Sequence, residues 1–354
     1  FSGDADFREA QFSGYAYFRE AQFSDYAYFR EAQFSGGAYF REAQFSGHAY
    51  FSEAQFSGYA YFSEAQFSGD ADFREAQFSG YAYFSEAQFS GDADFREAQF
   101  SGDADFREVQ FSGDADFSKA KCGTGAYYDL AKFKKNAKFT AAGFGGICSF
   151  MDASFKSVPN FNFASFVQPP HIDGMSVKDK KDKVEEGLVE RYRKIKEMAI
   201  QSKDFENELK YFGLEMQSKA YLPTTSRSKK YFILAYQALS DFGKSLARPI
   251  IALIAFLIAM SVINGSYMLL ANDISKECRE HKTKFIGTVV QYTFSEASPL
   301  FKLEPRRAIE IETCLFKQKA LDIRNSLWRI IHLLPTTLLL FLFGLAVRNK
   351  FKIR

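Results

Sequence analysis

Ala16-Tyr17-Phe18-Arg19-Glu20-Ala21-Gln22-Phe23-Ser24-Asp25-Tyr26 is one unit of an eleven-residue pattern that runs through the first half of this chain. Each unit holds two sub-repeats of the form Ala-x-Phe-x-x, one of five residues and one of six. Phe falls at 7, 12, 18, 23, 29 and 34, in alternating steps of five and six. The phase outlasts the regular copies: Cys122, Tyr128, Phe133, Phe139, Phe144, Phe150, Phe155, Phe161 and Phe166 all hold Phe slots. The Ala slot, two residues earlier, departs at Val109, Cys148 and Pro159. A short period of this kind decides the fold before any local propensity does.

A helical reading fails on geometry. At roughly 98° per residue the two Phe slots would lie ~130° apart, and the two Ala slots on other sides, so no apolar stripe forms. Nearly every unit also carries Ser-Gly, a poor helical pair. In a strand, residues two apart share a face, so Ala and Phe point inward together. Short turns must then follow, and Gly14, Gly36, Gly47 and Gly58 suit corners that need positive φ.

The stretch Ala71-Asp72-Phe73-Arg74-Glu75 resembles the pentapeptide-repeat motif Ala-(Asp/Asn)-(Leu/Phe)-x-x. The resemblance implies a right-handed quadrilateral β-helix, a β-solenoid with small residues and Phe stacked inside. Phe7, Phe12, Phe18, Phe23, Ala71, Phe73, Ala76 and Phe78 are its expected core, with Cys122 and Cys148 as buried thiols in a Phe and an Ala slot. The extra residue in every second sub-repeat predicts a coil of about 22 residues, not the family's ~20, with bulged corners on two opposite edges. About eight coils at ~4.8 Å give a rod on the order of 37 Å long over residues 1–168.

Residues one coil apart should stack. Tyr17, Tyr39, Tyr61 and Tyr83 would line one face, and Asp72, Asp94 and Asp116 another, as a candidate interaction surface. The residues flanking each Ala switch together between Asp and Tyr, which alternates acidic and aromatic bands. Glu9, Glu31, Glu53 and Glu75 would place like charges ~4.8 Å apart, repelling unless nearby Arg or solvent compensates.

Composition agrees with repetition: 42 Phe against a single Trp in 354 residues. The formal net charge of +2 conceals a split, since residues 1–117 carry 21 Asp and Glu against 7 Arg, and the remainder carries the compensating excess of Lys and Arg. The chain starts at Phe1, inside a repeat, and reads as a fragment or processed product whose cap or targeting segment lies elsewhere.

Pro159, Pro169, Pro170 and Gly174 predict the end of the solenoid and a linker over 169–183. Apolar residues at Val184, Leu188, Tyr192, Ile195 and Ala199, then at Phe205, Leu209, Phe212 and Met216, predict a helical hairpin over 184–221. Ser202-Lys203-Asp204 offers its turn and N-cap. Such a pair cannot bury its own apolar face and should pack on the solenoid end, a partner or a second subunit. Residues 224–248, with Tyr231, Phe232, Tyr236 and Phe242 beside Lys229, Lys230 and Lys244, suit an interfacial amphipathic helix.

Residues 249–271 form an uncharged stretch interrupted mainly by Asn264, long enough to cross a bilayer. A second span is expected over 327–347, between Trp328 and a basic tail at 348–354, with a loop over 272–326. The basic flanks favour both ends in the cytoplasm. The segments Tyr192-Arg193-Lys194-Ile195-Lys196, Phe212-Gly213-Leu214-Glu215-Met216 and Phe343-Gly344-Leu345-Ala346-Val347-Arg348 are similar to those of bacterial pentapeptide-repeat membrane proteins. That similarity implies a multi-pass protein of the bacterial inner membrane with a cytoplasmic solenoid.

Catalytic and cofactor patterns are not found. His48, His171, His281 and His332 have no metal spacing, and no Gly-rich phosphate loop or nucleophile elbow occurs. Cys278 and Cys314, both between the expected spans, would form a disulfide if that loop faces the periplasm, or remain free thiols. The expectation is a non-enzymatic, cofactor-free scaffold tethered to the lipid bilayer, engaging a protein partner or a second copy and not nucleic acid directly. Two alternatives remain: a channel or transport component, and a DNA mimic of the kind the soluble family includes. A potassium filter is approached only by Gly287-Thr288-Val289-Val290-Gln291-Tyr292, which lacks its Gly-Tyr-Gly element.

Overall fold

The Ala-x-Phe sub-repeats fold into short parallel strands of two residues each, in a computed structural model that describes residues 1–178, 187–271, 282–297, 306–307, 311, 315 and 322–352. The chain forms two compact units, Phe1–Thr224 and Thr225–Arg354.

In the first unit, four parallel sheets make the walls of a four-sided solenoid. The first face begins with Ala5–Asp6, the second with Gln11–Phe12, the third with Ala16–Tyr17 and the fourth with Gln22–Phe23. Ala5 pairs with Ala27 and Asp6 with Tyr28, so one turn takes 22 residues, as the doubled unit requires. The six-residue sub-repeats follow the second and fourth faces and put the extra residue on two opposite edges. Inside, Phe slots stack in four columns: Phe29, Phe51, Phe73 and Phe95 follow one another at 4.8 to 4.9 Å, ring on ring. Columns of opposite faces meet edge to face across the interior, as Phe73 does with Phe84 at 5.4 Å. Both arrangements suit the aromatic quadrupole. Phe23, Phe78, Ala71 and Ala76 are buried, whereas Phe7, Phe12 and Phe18 in the first coil are half-buried.

The corners differ from expectation in which residue bends the chain. Glu9, Glu20, Glu31 and each later Glu of that slot through Glu108 adopt φ near +60°, continued by Lys119, Leu130, Ala141, Asp152 and Phe163. The repeat glycines do not; only Gly174, Gly187 and Gly243 have positive φ. Glycine is required instead by proximity. A Cβ on Gly36 would lie 2.6 Å from the Gly14 carbonyl oxygen, and one on Gly58 2.6 Å from the Gly36 carbonyl carbon. The left-handed Glu conformation costs about 1 kcal/mol. Its N–H in turn bonds the next coil, as Glu53 does to the Arg74 carbonyl at 2.8 Å.

The solenoid also runs further than the prolines suggested. Ile172 and Val177 hold the next Phe slots, Pro170 and Met175 the Ala slots, and Gly174 the left-handed corner at φ 69°. In earlier coils the Ala-slot N–H donates to a carbonyl of the following coil, as Ala71 does to Asp92. Pro170 stands where a helix and not a further coil follows, so its missing N–H leaves no acceptor unmatched.

Cys122 and Cys148 are buried, as their slots imply. Cys122 and Tyr128 replace two Phe of the same coil, and both are buried. Burial pushes the Cys122 thiol up to about 12 and raises Cys148 well above its ordinary value. At pH 8 the Cys122 thiolate fraction is then on the order of 10⁻⁴. Iodoacetamide should leave both cysteines unmodified in the folded chain and alkylate both in denaturant, which peptide mass spectrometry reads directly.

Helices α1 (Leu188–Gln201) and α2 (Phe205–Ala220) form the expected hairpin, and Asp204 caps α2 by accepting from the Asn207 N–H at 3.0 Å. Leu188, Tyr192, Ile195, Met198 and Tyr211 join the solenoid's own apolar cluster. The Ser202 hydroxyl donates to the Pro170 carbonyl, so the hairpin closes the C-terminal end of the stack. Covering that end removes open strand edges. Between the helices, the buried Glu215 carboxylate takes Arg193 Nε at 3.1 Å and Lys196 Nζ at 2.7 Å, a pairing that hydrophobic periodicity gives no reason to expect.

The second unit contains α3 (Arg227–Ser240), α4 (Ala247–Ala271), α5 (Lys282–Ala297) and α6 (Asp322–Lys352). Ser226 caps α3, which leaves Tyr231 and Phe232 exposed. Among the described residues one helix is long and apolar enough to cross a membrane: α4, over 247–267, with mean hydropathy 2.1. The expected second span at 327–347 falls inside α6, whose apolar stretch Leu333–Asn349 is shorter, with Pro335 within the helix. Among the described residues α4 is therefore the one candidate span. The region expected as a loop over 272–326 contains α5, whose Phe285, Ile286, Val289, Val290 and Phe294 carry a helical apolar period that could have been read. Asn264, the polar interruption of α4, donates from Nδ2 to Thr293 Oγ1 of α5 at 3.0 Å, with both residues buried. Cys278 and Cys314 lie outside the described residues.

Candidate interaction surface

Outward positions of the solenoid are fixed by the same 22-residue register. On the third face Tyr17, Tyr39, Tyr61 and Tyr83 form one column, with ring centroids 4.9, 4.8 and 5.0 Å apart and planes nearly parallel. Tyr59 and Tyr81, at the adjoining corner, stack on each other at 5.5 Å and meet Tyr61 and Tyr83 edge to face. Desolvation by their neighbours, then the adjacent tyrosines, raises Tyr39 and Tyr83 above the ordinary phenol value. The column ends where Asp105 replaces Tyr beyond Tyr83.

Asp72, Asp94 and Asp116 stack on the first face, opposite the tyrosines, so the two sets do not make one mixed surface. The acidic column is also largely neutralised. Asp72 takes Arg74 at 2.7 Å, Asp94 takes Arg96 at 2.6 Å, and Asp116 faces Lys138 at 3.5 Å. The first two are paired through both guanidinium Nε and Nη2, a geometry that holds the carboxylate flat against the wall. In the first coil the same Arg8 pairing lowers Asp6 to about 2.

At Tyr17, Tyr28 and Tyr39, where Arg also follows the Phe, that Arg turns to the glutamate ladders instead: Arg19 to Glu42 at 3.5 Å, Arg30 to Glu53 at 3.2 Å and Arg41 to Glu64 at 2.7 Å. The Glu ladders are thus partly compensated by Arg, as their spacing demands. Faces do not alternate in regular bands: the first reads Asp6, Tyr28, Tyr50, Asp72, Asp94, Asp116 and Lys138 along its length.

A second acidic column belongs to another slot, the residue before Ala, which the sequence reading did not single out by number. Asp70, Asp92 and Asp114 run along the corner between the fourth and first faces. Each carboxylate accepts the backbone N–H one coil on: Asp92 to Asp70 at 2.9 Å, Asp114 to Asp92 at 2.8 Å and Asn136 to Asp114 at 3.0 Å. Their 22-residue spacing was the available signal.

In the second unit, residues 287–292 lie inside α5, so their carbonyls are engaged along a helix and cannot form a filter ladder. An apolar groove of about 440 Å³ runs between α4 and α5, lined by Ile258, Val262, Leu269, Phe285, Val289 and Phe294 among others.

The family described as Pentapeptide repeats (9 copies) matches residues 1–44, 29–77 and 73–121. The matched region is the part of the solenoid with regular Phe slots; the coils from Cys122 to Val177 are degenerate continuations of it. No curated protein and no solved structure matches the chain.

Proposed function

We propose that this chain is a membrane-tethered, non-catalytic scaffold whose pentapeptide-repeat solenoid presents the tyrosine column of the third face to a protein partner. The observation that carries the reading is that column. Tyr17, Tyr39, Tyr61 and Tyr83 are stacked at coil spacing on a rigid wall, with the Tyr17 ring mostly exposed. Rings held in register lose little conformational entropy on binding, and Tyr combines apolar area with a hydroxyl that can be satisfied at an interface.

The tether is supported by α4, and by α3 before it, where exposed Tyr231 and Phe232 accompany Lys229 in the pattern of an interfacial helix. On this reading α6 returns through the bilayer over 327–347. The basic residues before α4 and after Val347 then hold the solenoid on the cytoplasmic side of a bacterial inner membrane.

The test is proximity labelling from the solenoid in the native host, comparing the parent chain with a Tyr39→Ser, Tyr61→Ser, Tyr83→Ser variant. Truncating three central aromatic contacts should lower capture of the principal protein neighbour at least about ten-fold. The solenoid core, which these side chains do not enter, should keep its hydrogen-exchange protection. An unchanged neighbour set, or neighbours confined to channel or lipid-biosynthetic proteins, would remove the scaffold reading.

A further inference from the structure

The corner between the fourth and first faces changes sign along its length. Six consecutive coils place Asp70, Asp92, Asp114, Lys134, Lys156 and Lys178 on this one edge, the acids two residues beyond the lysine slot. The lysines are held in register by their own backbones. Lys134 N–H donates to Phe111, Lys156 to Phe133 and Lys178 to Phe155, at 2.8 to 2.9 Å. All three lysine side chains are exposed. Among the described residues none of them pairs with a carboxylate; Lys134 reaches only Gln110 and Ser112, at 3.4 Å. Asp92 and Asp114 have no ion pair there either, and Asp70 has only His48 at 3.5 Å. Gly69, Gly91 and Gly113 lie between the two slots.

Three like charges one coil apart, ~4.8 Å, repel on each half of the edge. Local pairing, which neutralises the Asp72 and Asp94 column, is missing here. A surface complementary to this edge must carry the same charges in reverse order, and the edge itself does. A two-fold axis perpendicular to the rod, passing between Asp114 and Lys134, sets Asp114 opposite the second copy's Lys134. The same axis sets Asp92 opposite Lys156 and Asp70 opposite Lys178, each pair occurring twice. This is the self-complementarity that an isologous interface requires. Parallel alignment would oppose like charges and is disfavoured by the same pattern.

We propose that this edge is an antiparallel homodimer interface, its occupant a second copy of this chain. The pairing leaves the third face and its tyrosine column open, so it stands or falls separately from the scaffold reading.

Sedimentation velocity on the full chain in a neutral detergent tests it. The parent should be dimeric at low ionic strength and dissociate as salt rises, since exposed pairs are screened within a Debye length of ~8 Å at physiological salt. Changing Lys134, Lys156 and Lys178 to Glu, which disturbs no short bond, should weaken the dimer at least about ten-fold. Changing Asp70, Asp92 and Asp114 to Lys should do the same. Mixing the two variants, one all-acidic along the edge and the other all-basic, should restore the dimer mass. A monomeric parent at low salt, a dimer indifferent to the lysine variant, or a mixture that stays monomeric overturns the proposal. So does a monomeric parent whose lysine variant instead loses sedimentation with phosphatidylglycerol vesicles, which would assign the lysines to anionic lipid.

Discussion

Phe73→Ala should cost the solenoid about 3–5 kcal/mol, the range for removing a buried aromatic ring. Phe73 has no exposed surface, stacks on Phe51 at 4.9 Å and Phe95 at 4.8 Å, and meets Phe62 and Phe84 edge to face at 5.4 Å. In an ordinary core neighbouring side chains relax into the space. Here every neighbour is held by its own coil, and the coils are fixed by backbone bonds such as Phe73 N–H to Asp94 at 2.7 Å. The cavity should therefore persist, which places the loss toward the upper part of the range. Because each coil contacts mainly its two neighbours, the damage should be local. Hydrogen exchange on the full chain should show lost protection in the coils around residues 51–95, with the hairpin at 188–220 little affected. Phe12→Ala, at a half-buried ring, should cost clearly less. A Phe73→Ala loss below ~1 kcal/mol would mean that the columns are not the principal source of stability.

The same local dependence explains which parts of the fold the sequence discloses. Periodicity names the inward residues because one side-chain role recurs in every coil. Cys122 and Cys148 were therefore placed inside correctly even though they are neither Phe nor Ala. Composition misled where a residue type has two uses. Gly was read as a turn former, but at Gly36 and Gly58 it is selected by the closeness of the coil beneath, a contact between residues 22 apart that no local motif records. Pro169 and Pro170 were read as a break because proline usually ends a strand, yet a terminal coil has no successor to accept its N–H. Asp and Tyr columns were identified by spacing. Their unequal availability was hidden, because it depends on whether Arg two residues on lies back over the carboxylate, as Arg74 does over Asp72. Glu215 was invisible for a related reason: its partners Arg193 and Lys196 belong to the other helix of the hairpin. For the membrane segments, length and hydropathy identified α4, but missed α5 because its apolar period is shorter and interrupted by polar residues.

Gly91→Ala should be as disruptive to the stack as many core truncations, although it adds one methyl group at the surface. A Cβ there would lie 2.5 Å from both the Gly69 carbonyl carbon and oxygen, and 2.6 Å from Asp70 Oδ1. The first two are backbone atoms that cannot rotate away, so the corner must open. Opening it loosens the bond from Asp92 N–H to Asp70 Oδ1, now 2.9 Å, and the rungs beside it. Overpacking of this kind costs about 1–3 kcal/mol, and a fixed backbone neighbour places it at the upper end. Gly143→Ala is the control, because its Cβ position meets only Ser165 Oγ, at 3.7 Å, and it should shift stability by no more than ~0.5 kcal/mol. Glu75→Gly is the converse. At φ 57° a glycine relieves left-handed strain, so that exchange should be neutral or stabilising by up to ~1 kcal/mol. If the repeat glycines served the backbone angle instead, Glu75→Gly would gain nothing. Urea titration of the three variants, followed by hydrogen exchange at the coils they occupy, separates the two accounts.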